Sequence, residues 1–193
     1  RGMLTKLAEL VRAATSSFDQ YDYTAALRDT ETFFWWFCDD HIEHVKRRRA
    51  GDGEDAASAT ASCLTALSVM LRLLAPFLPF VTEEVWSWWQ QGSIHRASWP
   101  TDREITDQLR GRPDASAVGT LQKASTITAG IRRERSLREL PFGVPVTSLQ
   151  LPQAHPDEWN AISADVLAGN NAATAQITFG ADFAIEFAPP AKP

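Results

Sequence analysis

Cysteine is scarce in this 193-residue chain: Cys38 and Cys63 are the whole complement, both in apolar helical stretches, too few for a disulfide framework or a cysteine-built zinc site. Two such thiols read as a chain kept in a reducing, cytoplasmic compartment. Uninterrupted apolar runs are missing too. The longest, from Leu64 to Val81, is cut by Arg72, Pro76 and Pro79 and fails as a membrane span, and the opening residues are amphipathic, unlike a signal peptide. There is no glycine-rich phosphate loop, no paired Glu-x-x-His motif and no nucleophile elbow, so no familiar catalytic signature is present. Positive charge is nearly absent from the end of the chain: residues 140–193 carry one Lys against five acids, while residues 1–139 carry 18 Lys and Arg against 19 acids. The net charge of -5 therefore belongs mostly to the tail, and the front portion is close to neutral with its cations clustered. The opening Arg1-Gly2, without a start Met, reads as a piece of something longer.

Bulky apolar residues are abundant by contrast. Hydrophobic residues make up 44% against 22% charged, with seven Trp and ten Phe, which is core material for a folded chain. Leu4, Leu7, Ala8, Val11 and Ala14 have helical spacing and predict a first helix over 2–17. A long second helix is expected from Asp22, as its cap, to about Arg48, before the GDGED stretch from Gly51. On it Tyr23, Leu27, Thr30, Phe34, Cys38, His41 and Val45 fall within about 40° of one line, the mark of a buried stripe. A third helix from about Asp55 to Ala75 repeats the pattern through Cys63, Leu67, Met70 and Leu74, and Thr82 is the expected cap of a short helix bearing Val85, Trp86 and Trp89. Residues 91–114 read as an irregular connection packed on the surface. Val118, Leu121, Ala124, Thr128 and Ile131 mark another helix ending near Leu137.

After Pro141-Phe142-Gly143 the period changes. Strands are expected over Val144 to Leu151, Gln176 to Phe179 and Phe183 to Phe187, with a helix from His155 to Leu167 between the first two. The expected fold class is mainly α: an antiparallel helical bundle over 1–140, a small α/β appendage over 141–188 and a disordered tail over 189–193.

Two basic clusters are the most informative polar features: Lys46-Arg47-Arg48-Arg49, and Arg132-Arg133 followed by Arg135 and Arg138. Each ends a helix, where cations gain about 0.3–1 kcal/mol from the dipole. Four consecutive cations span a full turn, however, and cannot all address the same carbonyls, so some must face solvent or a partner. Phosphate answers them best, through bidentate arginine contacts and counterion release; a merely solvated helix end is the competing reading. Trp36 lies roughly opposite the Phe34 stripe, on the side of Asp40, Glu43 and Arg47, where a ring could stack on an unpaired base unless a neighbouring helix covers it. His41 and His44, beside Asp40 and Glu43, are the best metal candidate, but His44 sits about 80° off the stripe that holds His41 and no second ligand pair appears, so no metal site is assigned.

Several stretches resemble a known family. Phe33-Phe34 through Phe37-Cys38-Asp39-Asp40-His41-Ile42-Glu43 to Val45-Lys46 is similar to the long helix of the anticodon-binding domain of class I aminoacyl-tRNA synthetases of the valyl type. Leu71 to Trp86 (LRLLAPFLPFVTEEVW) and Ser93 to Pro100 (SIHRASWP) resemble the segments that follow it. The resemblance runs well over Met3 to Pro100, more loosely over Thr120 to Leu151, and faintly beyond. It implies a fragment without catalytic residues of its own, which holds the tRNA anticodon stem and loop while a catalytic domain of the same polypeptide uses ATP and Mg²⁺. The contacts expected on that basis are Lys46, Arg47, Arg48, Arg132 and Arg133 to phosphate, and Trp36, Asp40 and His44 to loop bases. The family usually has Tyr where this chain has His41, and a Pro or small residue where it has Arg47-Arg48-Arg49; the SLRELPFG segment is also unlike the family pattern. The isoleucyl and leucyl types share weaker forms of the same words. A rival of another class is a helical protein-interaction module using its acidic tail and surplus aromatics as an interface.

Overall fold

The stripe of Leu4, Leu7, Ala8, Val11 and Ala14 is fully buried and forms one wall of a helical core. The structure is a computed structural model and describes residues 1–109, 114–152 and 156–189, with 156–158 described in backbone only. Helix α1 (Gly2–Asp19) carries the stripe, and the chain turns back through Tyr21, at φ 61°, into α2 (Tyr23–Trp36), which Asp22 caps by accepting from the Ala25 amide.

The helix expected to run unbroken to Arg48 is interrupted. A π turn at Phe37–His41 separates α2 from α3 (Ile42–Arg49). Upstream of it, α1 packs on the face formed by Ala26, Thr30, Phe33 and Phe37, so that Phe34 and Cys38 are half-buried and Tyr23 is exposed. Downstream, the extra residue in the wide turn rotates each side chain by about 100° from its place on a straight helix. His44, beyond this turn, is buried as well.

Helix α4 (Glu54–Leu74) places Cys63, Ala66, Val69, Met70 and Leu73 in the same core, leaving Leu64 outside. It is long and apolar enough to cross a membrane, but the apolar side closes on α1, α2 and α3. Helix α5 (Pro79–Ser87) begins at proline, and Thr82 is not its cap: the residue is buried inside the helix and its hydroxyl donates to Leu78 O at 2.8 Å. Trp86 joins Leu71, Ala75 and Ile94 in a small satellite cluster. The connection expected to be irregular contains a 3-10 turn at Ile94–Arg96 and the short α6 (Asp102–Thr106), which is closed by a Thr101–Glu104 capping box and drives Ile105 into the bundle core.

Helix α7 (Ala115–Leu137) serves two cores. Leu121 packs on the bundle, whereas Ala124 and Ile131 belong to a second cluster with β1 (Val146–Pro152), α8 (Pro156–Gly169), β2 (Gln176–Gly180) and β3 (Ala184–Phe187). The sheet order is β2-β1-β3; β1 and β2 are parallel with Leu149 opposite Ile177, and β1 and β3 antiparallel with Leu149 opposite Ile185. Helix α8 is the crossover that a parallel pair requires. Gly130 on α7 accommodates the Phe183 ring, whose Cζ would lie 2.9 Å from an added Cβ. The fold is mainly α, with a small α/β part. Of the tail expected to be disordered, residues 190–193 lie outside the described residues.

Arg135 ties the second part together. It is 7% exposed; Nη1 donates to the carbonyls of Pro141, Phe142 and Val144 at 2.9, 3.2 and 2.6 Å, and Nη2 to Asn170 O at 3.3 Å. The Phe142 and Phe187 rings lie 5.5 and 4.9 Å from its guanidinium carbon. Burial lowers its pKa, yet a guanidinium stays charged in water-accessible pH. Replacing Arg135→Met leaves the Val144 and Asn170 carbonyls short of a donor and is expected to cost about 3 kcal/mol in urea unfolding; a loss below the error of extrapolation would show that the carbonyls find other donors.

Candidate nucleic-acid interface

The C-terminal turn of α3 carries Lys46, Arg47, Arg48 and Arg49, all exposed. The geometry divides them. Lys46 Nζ lies 3.3 Å from Glu43 Oε1, and Arg48 pairs with Asp165 of α8. Arg47 and Arg49 pair with no described residue. On α7, Arg132 donates from Nη1 to Asp40 Oδ1 at 2.6 Å and from Nη2 to Asp39 O at 2.6 Å, strapping that helix to the π turn. Its neighbour Arg133 is exposed and likewise pairs with no described residue. Asp40 lies six residues before Lys46, roughly 9 Å along the helix, so the α7 arginines flank the basic end of α3.

The three residues expected to read bases are placed differently. His44 is 3% exposed; its Nε2 lies 2.6 Å from Thr128 Oγ1, and Asn170 Nδ2 donates to the same oxygen at 3.0 Å. Gly169 fits against it, an added Cβ falling 3.4 Å from the ring and 3.3 Å from Glu43 O. These contacts place His44 in the packing seam between α3, α7 and α8, and not in a ligand-facing position. Trp36 is half-buried, donates from Nε1 to Ser125 Oγ at 3.0 Å and is covered by the Lys6 ammonium 4.2 Å from the ring centroid, so its face is taken. Asp40 is engaged by Arg132. The adjacent Trp35 is the exposed ring, at 58%. Neighbouring residues on a helix differ by about 100°, so a modest error in the stripe's orientation exchanged the two tryptophans.

A cleft of about 410 Å³ opens beside the basic end, lined by Arg1, His41, Arg48, Ser58, Ser62, Asp114 and Asp165 among others. Its charges nearly balance, because Arg1 and Arg48 face Asp114 and Asp165. Positive potential at this end must come from Arg47, Arg49 and Arg133. Among the described residues no group of three His, Cys, Asp or Glu could hold a metal.

The family profile described as "Anticodon-binding domain of tRNA ligase" matches residues 1–144, which includes α1 to α7 and both basic clusters. The chain belongs to that anticodon-binding domain family. Among curated proteins, the chain is 47% identical over 163 residues to "Valine--tRNA ligase" of Salinispora tropica, covering 78% of this chain and 19% of that protein. It is 46% identical over 147 residues to "Valine--tRNA ligase" of Thermobifida fusca, covering 76% of this chain and 16% of that protein. For "Valine--tRNA ligase" of Bifidobacterium longum the identity is 36% over 165 residues, 80% of this chain and 18% of that protein. The chain therefore spans about a fifth of the length of the curated relatives it matches. Arg49, in the same run as Arg47, is a further cation that pairs with no described residue; the positions of Glu43 on α3 and Asp165 on α8 decide which members of the run are paired.

Burial, reinforced by His44, Arg48 and Lys6 nearby, pulls His41 down to a pKa of about 3 from 6.5, and burial lowers His44 as well. The unfolded chain therefore binds the extra proton first, and stability falls as pH drops below about 6.5 towards 3. Between pH 7 and 4.5 the His41 contribution is a loss of roughly 2–3 kcal/mol. Urea unfolding at the two pH values should show this loss, and His41→Phe should reduce it; an unchanged pH dependence in that variant would place the effect elsewhere.

Proposed function

We propose that this chain grips the anticodon stem and loop of a tRNA within a longer ligase that joins valine to tRNA(Val) in the cytoplasm. The observation that carries the reading is that Arg47, Arg49 and Arg133, near the ends of two helices in a chain of net charge -5, pair with no described residue. Phosphate neutralises such cations at little ordering cost, because the helices that carry them are already fixed by the Arg132 strap and the His44 seam. Arg48 and Arg132 contribute less, since each must exchange a carboxylate for phosphate. The names of the relatives favour valine over the isoleucyl and leucyl alternatives. In this reading the catalytic domain of the same polypeptide binds ATP and Mg²⁺, and the described residues act by holding and orienting RNA.

Binding of a tRNA(Val) anticodon stem-loop, followed by fluorescence anisotropy across a salt series, should give a straight log–log plot. The triple variant Arg47→Ala, Arg49→Ala, Arg133→Ala should flatten the slope by about 2, at ~0.7–0.9 per lost phosphate contact. Arg48→Ala alone should change it by well under one unit. An unaltered slope in the triple variant refutes the reading.

A further inference from the structure

The two poles of the bundle differ in chemistry. At one, the start of α1 meets the end of α3, and Arg1, Met3 and Leu4 share a cleft with Val45 and Arg48. At the other, Phe18 near the end of α1 contacts Tyr23, Phe77 and Trp99 at centroid distances of 5.4, 5.8 and 4.9 Å. Helix α1, with 18 residues, holds the poles about 27 Å apart. The second pole is apolar and uncovered. Phe80 is 90% exposed and Trp88 70%, with Leu78, Val81 and Tyr21 also outside. At 100° per residue Phe80, Val81, Glu84, Ser87 and Trp88 fall on one side of α5, while Thr82 and Trp86 face inward.

This face is held in place before any partner arrives. Glu83 Oε2 accepts from Ser93 Oγ at 3.0 Å and from the Ile94 amide at 2.9 Å. His95 Nε2 lies 3.2 Å from Pro79 O, Trp86 is buried in the satellite cluster, and Trp88 Nε1 donates to Glu84 Oε1 at 3.1 Å. A fixed Phe and Trp lose little rotamer freedom on burial, which is the character of an interface anchor. Exposed apolar clusters of this kind mark contact surfaces.

We infer that the α5 face is where this domain seats on the remainder of its own ligase polypeptide. The inference rests on the reading of the chain as one domain of a longer tRNA ligase. RNA is a poor occupant: the exposed side of α5 carries one charge, the acidic Glu84, and although Arg96 of the adjoining 3-10 turn pairs with no described residue, it belongs to that turn and not to the α5 face, while Arg47 and Arg49 lie at the opposite pole. The relatives supply the better occupant, since about four-fifths of each lies outside the part this chain matches. An apolar surface of that remaining polypeptide fits Phe80, Val81 and Trp88, and docking there leaves the basic pole free for the anticodon.

The test uses Ser87→Cys in the intact polypeptide that the gene encodes, alkylated under native conditions and read by mass spectrometry at that site, so that Cys38 and Cys63 do not interfere. Docking predicts modification about tenfold or more slower than for the same thiol after unfolding. It predicts that adding Phe80→Asp and Trp88→Asp restores fast labelling, with protection independent of protein concentration. Rapid labelling in the otherwise unaltered polypeptide overturns the inference. Protection that grows with concentration also overturns it, in favour of a second copy, as does protection seen only when tRNA is added, in favour of RNA. The salt slope of stem-loop binding is a separate measurement, so the docking face and the RNA reading can fail independently.

Discussion

Two contacts at and beyond the widened turn at Phe37–His41 hold the basic end of α3 in place. The His44 ring meets Thr128, which also accepts from Asn170, and Asp40 and the Asp39 carbonyl meet Arg132. Both contacts join α3 to elements far along the chain. They fix the angle at which the last turn of α3 leaves the bundle, and so the direction of Arg47 and Arg49, which pair with no described residue.

Helix α7 transmits that placement to the α/β part. One stretch of it lines the bundle and the next lines the sheet, and Arg135 reaches past its end to gather the loop at 141–144 and the end of α8. The appendage is therefore more than an ornament on the bundle: Asp165 pairs with Arg48 and Gly169 lies against Glu43 and His44. Glycine permits close approach at two separate contacts: Gly130 against the Phe183 ring, where an added Cβ would clash, and Gly169 against Glu43 and His44, where it would be tight.

The helices, the three strands and the crossover helix could be read from periodicity, because burial imposes a period of 3.6 or 2 wherever one face is covered. The α1 stripe matched residue for residue. What escaped were features with no periodic signature. A π turn changes the count by one residue and leaves composition untouched; the burial of His44 was hidden because the covered stripe runs through Phe33 and Phe37 and not through Phe34 and Cys38. The Thr101–Glu104 capping box was legible but lay in a stretch rich in Gly and Pro that read as loop. Thr82 looked like a cap, although Pro79 three residues earlier was the stronger start signal. The basic clusters were evident as clusters; which of their members remain free depended on Asp40, Asp165 and Glu43, and pairings between residues 92 or 117 apart are not written in local sequence.

The hydrogen bonds of Arg135 go to main-chain oxygens at Pro141, Phe142, Val144 and Asn170, and to no side chain. Every amino acid supplies a carbonyl, so the clasp places few demands on the identity of the residues it holds. Around 141–144 the chain is thus at liberty to drift, provided the loop keeps its path, and the unusual wording of the segment before and through it is a change evolution could make without dismantling the joint.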